Sequence, residues 1–307
     1  MAETNSQHTR NINHNNEYQF GKDVQSVISY VQSLQNQYYD GITSPAMDHT
    51  DRSNLSIDEF LTRKKRPFVT LTYAQSLDGK IALKTTSGDD HNGENEGRSS
   101  NFPISGKYSL IMTHALRNMH DGVLIGSGTM KYDNPRLNNR LWLNGKVEKQ
   151  PLPILIDTTM RSVIDCEECR AKNLVVCCSI ETANAVEQGV VRVCKDWTII
   201  PCKCLQGRGK ENHLDLEDVL KNLYKFGIRR LMVEGGASIL SAFASSNSVD
   251  ALVVTVAPKL IGKNGLAIYD KITFTDQAGN STILLENMSS ITAGNDFVLY
   301  GKWPCCS

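Results

Sequence analysis

The chain has 307 residues and a mass of 34.1 kDa, and its 33 basic side chains are balanced by 33 acidic ones, so its formal net charge is zero. A protein whose main partner is nucleic acid or an anionic membrane surface usually carries a basic surplus, so the composition argues against both partners. No apolar run approaches the roughly 18 residues of a membrane span, and residues 1–19 lack the apolar stretch of a secretory signal. We therefore expect a cytoplasmic protein whose nine cysteines are reduced thiols.

The chain divides into three parts by composition. Residues 1–20 are polar and Asn-rich, and we predict that they are disordered because they cannot bury enough apolar area to fold. Residues 21–66 are predicted to form a partly helical extension, with Asp23 as the N-cap of a helix that runs through Tyr39. The apolar residues of this helix recur at helical spacing, at Val24, Val27, Ile28, Val31 and Leu34.

Residues 67–307 form the third part, in which short β-rich apolar runs alternate with helical patterns, as is typical of an α/β domain with a mostly parallel sheet. Strands are predicted at 68–74, 122–125, 154–157, 174–178, 198–200, 230–233, 251–257 and 297–300. Helices are predicted at 106–117 with Ser105 as the N-cap, at 181–188 and at 215–226. The polar interval 84–102 is predicted to be either a lid or a disordered insertion.

Two glycine-rich turns each follow a predicted strand. Gly126-Ser127-Gly128-Thr129 follows strand 122–125, and residues 234–238 follow strand 230–233 and precede a helical pattern. Ligands of α/β sheets bind beyond the carboxyl ends of the strands, where glycine lets a phosphate approach backbone amides. Each turn alone is explained equally well as a tight turn without a ligand, and neither is a full G-x-G-x-x-G motif or a P-loop. Two such turns in one domain favour a dinucleotide over a mononucleotide.

The loop after the first turn pairs a carboxylate with guanidinium groups, since Asp133-Asn134-Pro135-Arg136 is followed by Arg140. Arginine binds phosphate through a fork of N–H donors, so the loop suits a phosphorylated substrate. An Asx turn before proline with a surface arginine explains the same residues. The turn around Asp78 directly follows the first predicted strand and is therefore expected at the same edge of the sheet.

A metal site is not expected. His114 and His120 are predicted to be packing and surface residues, and Cys166-x-x-Cys169 lacks a second cysteine pair at matching spacing. None of the seven histidines is followed by x-Glu, the pattern of the zinc-dependent nucleobase deaminases.

Seven segments resemble, in order along the chain, the reductases of riboflavin biosynthesis that act on 2,5-diamino-6-ribosylamino-4(3H)-pyrimidinone 5′-phosphate. These reductases are similar in turn to the C-terminal half of the bacterial bifunctional deaminase-reductase. The segments are 67–80, 104–106, 116–129, 133–137 with Arg140, 233–236, Asp250 and 257–258.

This resemblance implies a dihydrofolate-reductase-like α/β fold, with a mostly parallel central sheet and helices on both faces, in a homodimer that uses NADPH. The implied reaction transfers a hydride to C1′ of the opened ribose, which turns the ribosylamino group into a ribitylamino group. Asp133 and Glu234 are implied at the reacting centre. Substrate contacts are implied for Asp78, Asp133, Arg140 and Glu234. Cofactor contacts are implied for Gly126, Gly128, Thr129, Asp133, Ser179, Glu234, Gly235, Gly236, Ala237 and Ser238.

Two alternative functions fit the same fold. A pteridine or folate reductase would need a buried carboxylate for the pterin edge rather than an arginine for a phosphate, so the loop from Asp133 to Arg140 argues against it. A nucleotide-sensing module would keep the pocket without turnover.

Overall fold

The computed structural model describes residues 21–33, 35–36, 65–84, 103–141, 149–164, 169–205, 213–246, 248–268 and 283–304. The predictions for 1–20, for 85–102, and for most of the segment between the first helix and residue 65 lie outside the described residues. Leu34 and Cys166 also lie outside them.

A nine-stranded sheet forms the centre of the molecule. Its strands are β1 (Phe68–Ser76), β3 (Gly122–Gly126), β4 (Leu152–Ile156), β5 (Val175–Ser179), β6 (Thr198–Cys202), β9 (Arg230–Val233), β10 (Ala251–Ala257), β12 (Glu286–Ala293) and β13 (Asp296–Lys302), and their order is β12-β13-β10-β1-β9-β3-β4-β5-β6. The seven strands from β10 to β6 are parallel, whereas β13 pairs antiparallel with both β10 and β12. Two short antiparallel pairs lie outside this sheet, β2 (Lys80–Leu83) with β11 (Gly265–Ala267) and β7 (Cys204–Leu205) with β8 (His213–Leu214).

The eight predicted strands are all present, and no strand end differs from its prediction by more than two residues. The sequence pattern does not predict β12, because this edge strand consists mainly of exposed side chains and lacks an apolar run. Its pairing partner β13 supplies the apolar residues that reach the core.

Helices cover both faces of the sheet. They are α1 (residues 21–33, with 35–36 also helical), α2 (Lys107–Met119), α3 (Ser127–Asp133), α4 (Arg161–Ile164), α5 (Ile180–Glu187), α6 (Leu216–Phe226) and α7 (Ala237–Ala244). Successive residues of a strand point to opposite faces of the sheet. In β3, Val123 and Ile125 enter the core beneath α1, α2 and α3. Leu124 enters the core on the other face, beneath α6 and α7. The predicted α/β class with a mostly parallel sheet and helices on both faces is confirmed.

The local sequence pattern predicts both ends of helix α6 correctly but not the start of helix α1. Helix α6 begins after Asp215, whose carboxylate accepts a hydrogen bond from the Glu217 amide at 3.0 Å, and it ends at Gly227 with φ 111°, as expected for a left-handed C-cap. The predicted N-cap Asp23 is wrong, because α1 already includes residue 21 and Asp23 lies within its first turn. A carboxylate there still interacts favourably with the helix dipole.

The predicted N-cap Ser105 of helix α2 is also wrong. Gly106 occupies the cap position, and the carboxylate of Asp296 accepts hydrogen bonds from the Gly106 amide at 2.7 Å and from the Ser109 hydroxyl at 2.6 Å. The capping group therefore comes from the first residue of β13, which is far away in sequence, so the local sequence pattern does not predict it.

Helix α1 packs on the main body. Its buried residues Val24, Val27, Ile28 and Val31 belong to the same core as helix α2 and strand β13. The Tyr30 ring stands edge-on to Tyr300 with 5.2 Å between ring centroids, and its hydroxyl donates to the Asn287 carbonyl oxygen at 3.1 Å. The N-terminal extension thus contributes to the core of the domain. Among the described residues, no helix combines the length and the apolar character that crossing a membrane demands.

His120 joins three elements at the end of helix α2, and its prediction as a surface residue is wrong because its side chain is fully buried. The Nδ1–H group donates to the Leu116 carbonyl oxygen at 2.7 Å. Nε2 then accepts from the Thr70 hydroxyl of β1 at 2.9 Å and from the Gln35 amide of the N-terminal helix at 3.4 Å. Burial lowers the pKa of His120 to about 4, so the imidazole is neutral in the folded protein at neutral pH.

We predict that the free energy of unfolding falls as the pH is lowered from 6.5 to about 4. The unfolded chain takes up a proton on His120 in this window while the folded state does not, which costs up to about 3 kcal/mol for one histidine. In urea unfolding, His120→Gln should reduce this pH dependence. The matched variant His213→Gln, which removes an exposed histidine, should leave it unchanged. Identical pH profiles for wild type and His120→Gln would contradict the prediction.

Candidate active site

β3 and β9 are parallel neighbours in the sheet, so their carboxyl ends lie side by side, and we call the region between the two chains that leave them the crevice. The helix after β3 is α3, whose Met130 enters one core, and the helix after β9 is α7, whose Leu240 enters the other. Because the two chains leave their strands toward opposite faces, this is a topological switch point, where open α/β sheets bind ligands.

The two glycine-rich turns meet at this crevice. The hydroxyl oxygen of Thr129 in the first turn accepts a hydrogen bond from the Gly236 amide in the second turn at 2.8 Å. The Glu234 amide donates to the Leu124 carbonyl oxygen of β3 at 2.9 Å. The structure thus brings together the two turns that the sequence places after separate strands.

Two glycines of these turns are needed by the fold itself. Gly235 has φ 126°, which strains other residues, and a β-carbon there would lie 3.2 Å from the Thr129 hydroxyl oxygen. A β-carbon at Gly126 would lie 3.2 Å from Cβ of Ile239, so Gly126 lets helix α7 approach β3.

Gly128 differs from both glycines, because no atom lies within 4 Å of the position that its β-carbon would take. The absence of a side chain there leaves open space beside the first turn of α3. On the other side of the crevice Gly236 is the N-cap of α7, and Ala237 and Ser238 form the first turn of that helix.

Glu234 is held by a buried salt bridge with Arg117 of helix α2. The guanidinium donates from Nε to Oε1 at 2.8 Å and from Nη2 to Oε2 at 2.6 Å, and the two side chains are 10% and 16% exposed. Arg117 also donates from Nη1 to the Asn138 carbonyl oxygen at 3.0 Å. Because both carboxylate oxygens are engaged, Glu234 orients neighbouring groups while its charge is neutralised.

The loop after α3 carries a cluster of arginines. Partial burial lowers the pKa of Arg140, and the positive charges of Arg117, Arg136 and Arg170 lower it further. The Arg170 amide donates to the Asn134 side-chain oxygen at 3.0 Å, so the segment that carries Arg170 is tied to the loop that carries Arg136 and Arg140. Glu234 is paired with Arg117 and its negative charge also acts on Arg140, but one carboxylate does not balance several guanidinium groups. These groups repel one another and would be stabilised by a bound anion.

Asp133 is the last residue of helix α3, and the chain turns sharply after it because Asn134 adopts a left-handed conformation with φ 39°. Its carboxyl group is half-buried, and burial raises the pKa of Asp133. Such a carboxyl group keeps its proton up to a higher pH than the carboxyl group of an exposed aspartate does.

Asp78 and Ser179, two further predicted site residues, already have structural partners. The Asp78 carboxylate accepts from the Ser76 hydroxyl at 2.6 Å and from the Gly262 amide at 2.6 Å, and these hydrogen bonds lower the pKa of Asp78 to about 2. The Ser179 hydroxyl caps helix α5 by accepting from the Thr182 amide at 3.1 Å. The predicted ligand contacts of both residues remain predictions.

Arg117 and Arg170 were not identified as site residues from the sequence. Arg117 carries a usable signal, because it follows the buried residues Met112, Ala115 and Leu116 on helix α2, and a charged residue among buried positions indicates a buried ion pair. Arg170 lies in a loop and carries no comparable signal. Within the described ranges, no group of three or more His, Cys, Asp or Glu side chains is arranged to hold a metal ion.

Comparison with known proteins places this site in a family. Residues 67–299 match the model of the RibD C-terminal domain. The chain is 34% identical over 224 residues to the 2,5-diamino-6-ribosylamino-4(3H)-pyrimidinone 5′-phosphate reductase of Debaryomyces hansenii, covering 69% of this chain and 84% of that protein. It is 32% identical over 244 residues to the reductase of the same name from Saccharomyces cerevisiae, covering 77% and 86%.

A solved structure has the same fold. The riboflavin biosynthesis reductase of Saccharomyces cerevisiae superposes with a TM-score of 0.57 at 24% identity, covering 86% of this chain and 98% of that protein. The family model spans both glycine-rich turns, Arg117 and the arginine loop, and the relatives are similar over most of their own length. The chain therefore belongs to the RibD C-terminal domain family.

Proposed function

We propose that this protein reduces 2,5-diamino-6-ribosylamino-4(3H)-pyrimidinone 5′-phosphate to its ribitylamino product with NADPH. The observation that carries the proposal is that the two glycine-rich turns meet beyond the carboxyl ends of β3 and β9, with a cluster of arginines in the neighbouring loop. The similarity to reductases named for this substrate supports the same conclusion.

The residues around the crevice fit a dinucleotide. The turn from Gly235 to Ser238 and the first amides of α7 would hold the pyrophosphate, because a helix N-terminus offers N–H donors to an anion. The open space at Gly128 leaves room for the cofactor next to the other turn. When bound, NADPH would supply a hydride to C1′ of the opened ribose, and no metal is needed for this chemistry.

The arginine loop would bind the phosphate end of the substrate. Arg140 provides the main guanidinium group, and Arg136 and Arg170 add positive charge to the same region. Arg117 is neutralised by Glu234, so this pair would position the loop rather than bind the phosphate with a full charge. Arginine is suited to this task because its planar fork matches the oxygen atoms of a phosphate.

Asp133 is the proposed proton donor. Reduction at C1′ adds a hydride and requires a proton for the ring oxygen when the ribose opens. A half-buried carboxyl group whose pKa is raised by burial can carry that proton at a higher pH than an exposed aspartate can. Glu234 is less suited, because both of its oxygens accept hydrogen bonds from Arg117.

The function and the role of Arg140 are tested by steady-state kinetics, with the oxidation of NADPH followed by its absorbance. Wild-type protein should turn over the ribosylaminopyrimidine phosphate. Arg140→Ala should raise the KM for this substrate by about tenfold or more, while the KM for NADPH stays within about twofold. Arg192→Ala, which removes an exposed arginine outside the cluster, is the matched control and should leave both constants unchanged.

Three outcomes would contradict this assignment. Equal effects of Arg140→Ala on both KM values would refute the phosphate contact. Turnover of dihydrofolate without turnover of the pyrimidine phosphate would favour a pteridine or folate reductase. Tight NADPH binding by folded protein without turnover of either compound would favour a nucleotide-sensing module.

The position of the cofactor is tested at Gly128. Gly128→Leu should weaken NADPH binding by about tenfold or more, because the new side chain fills the space beside the turn, whereas Gly128→Ala should stay within about twofold. Gly235→Val is a poorer test, since φ 126° would strain the backbone without any ligand. Binding is measured by fluorescence titration, and equal affinities of Gly128→Leu and wild type would remove this turn from the cofactor site.

We also propose that the protein forms a homodimer through the face of β13 that points away from helix α1. Phe297 and Leu299 are 55% and 38% exposed on this face, next to Val256 and Val254 of β10 in the strand register. Exposed apolar side chains that stand together mark candidate interaction sites, and a second copy would cover Phe297 and Leu299.

The proposed interface is tested by light scattering at micromolar concentration. Wild-type protein should be a dimer, and Leu299→Glu should be a folded monomer because it places a charge in the apolar patch. Val190→Glu is the matched control, since Val190 is 74% exposed at a different place in the fold, and this variant should remain dimeric. A dimeric Leu299→Glu variant would exclude this face as the interface.

A further inference from the structure

His114 of helix α2 faces the loop that carries Arg140, and its side chain is fully buried. Its Nδ1 atom accepts a hydrogen bond from the backbone amide of Arg140 at 3.3 Å. A buried histidine therefore contacts the backbone of the residue that is proposed to bind the substrate phosphate.

The other ring nitrogen of His114 identifies its tautomer. Among the described residues, the only two buried side-chain polar atoms without a hydrogen-bond partner are Nε2 of His114 and Oδ1 of Asn139. The Asn139 side chain lies near enough to His114 to raise its pKa. The two atoms are complementary in chemistry if Nε2 carries the proton, since Nε2 is then a donor and the amide oxygen is an acceptor, while Nδ1 accepts from Arg140.

The charges around His114 favour the same neutral form. Arg117 of its own helix and Arg140 of the loop are positive, while Glu234 after β9 is the negative group nearby. Burial, with help from the two arginines, lowers the pKa of His114 to about 4. A proton on Nδ1 would also point at the Arg140 N–H group, so two donors would face each other.

The two residues that precede Arg140 are fixed by further hydrogen bonds. Gln150 bonds the backbone of Asn139 through both of its amide atoms at 2.8 Å, and Asn139 Nδ2 donates to Asn118 at 3.3 Å. Arg117 holds the Asn138 carbonyl oxygen at 3.0 Å. The contact with His114 is the next one along the chain, and it acts on the amide of Arg140 itself.

We propose that His114 is a positioning residue for anion binding: its neutral imidazole holds the Arg140 amide and Asn139, and thereby directs the Arg140 guanidinium toward the phosphate end of the substrate. This role rests on the proposed function of the Arg140 loop. The proposed role involves no contact between His114 and the substrate and no proton from His114 to the reaction.

The test measures the affinity of the full-length protein for inorganic phosphate by calorimetry, together with the kinetic constants for the pyrimidine phosphate and NADPH. His114→Leu removes the acceptor and should weaken phosphate binding and raise the substrate KM, each by about tenfold, while kcat and the KM for NADPH stay within about twofold. Arg140→Ala serves as the positive control for loss of phosphate binding.

A conservative pair of variants separates positioning from general loss of stability. His114→Asn places an amide oxygen close to the position of Nδ1 and should recover most of the phosphate affinity, whereas His114→Gln places its amide farther along the side chain and should not. These two variants decide the proposal even where His114→Leu does not fold. Met112→Ala, which creates a cavity on the same helix, should lower the stability without changing phosphate affinity.

Wild-type affinities in His114→Leu, or equal impairment of His114→Asn and His114→Gln, would overturn the proposal. An equal loss of phosphate affinity in Met112→Ala would also overturn it, since the effect would then follow from stability alone. The failure of the proposed function has a different signature. In that case the pyrimidine phosphate is not turned over by wild-type protein, while the dependence of phosphate binding on His114 and Arg140 persists.

Discussion

The organisation of the site depends on the buried ion pair between Arg117 and Glu234. This pair joins helix α2, which precedes β3, to the turn that follows β9, so it spans the two sides of the crevice. The same guanidinium holds the Asn138 carbonyl oxygen and so anchors the loop that leads to Arg140. Buried charges are tolerated only when they are paired and hydrogen-bonded, because an unpaired charge in this environment is strongly unfavourable. The pair therefore makes the relative positions of helix, turn and loop interdependent.

Much of the fold could be predicted from the sequence because its signals are local. Parallel strands buried on both faces appear as continuous apolar runs, and the capping residues Asp215 and Gly227 mark helix α6 directly. The two glycine-rich turns follow their strands immediately, so their position at one edge of the sheet could be predicted without knowing which strands are neighbours. That β3 and β9 are neighbours, and that Thr129 binds the Gly236 amide, required the structure.

The wrong predictions for Ser105 and His120 share a physical reason, which is that the decisive partner is distant in sequence. Ser105 is a reasonable local cap for helix α2, but the carboxylate of Asp296, which is 190 residues away from Gly106 in sequence, takes that role. His120 follows a helix end and resembles a surface residue, yet strand β1 and the N-terminal helix enclose it. Arg117 gains its role through Glu234 and Asn138, and His114 through Arg140, and all of these partners are distant in sequence.

The position of β9 has a consequence for the synthesis of the protein on the ribosome. This strand lies between β1 and β3, although it follows both of them in the chain by more than a hundred residues. A nascent chain that has emerged only as far as β6 therefore lacks the strand that bridges its two earliest sheet strands, and it also lacks one wall of the crevice. The middle of the sheet and the ligand site are completed in the same event, when β9 inserts. Premature termination before this strand leaves a polypeptide with neither.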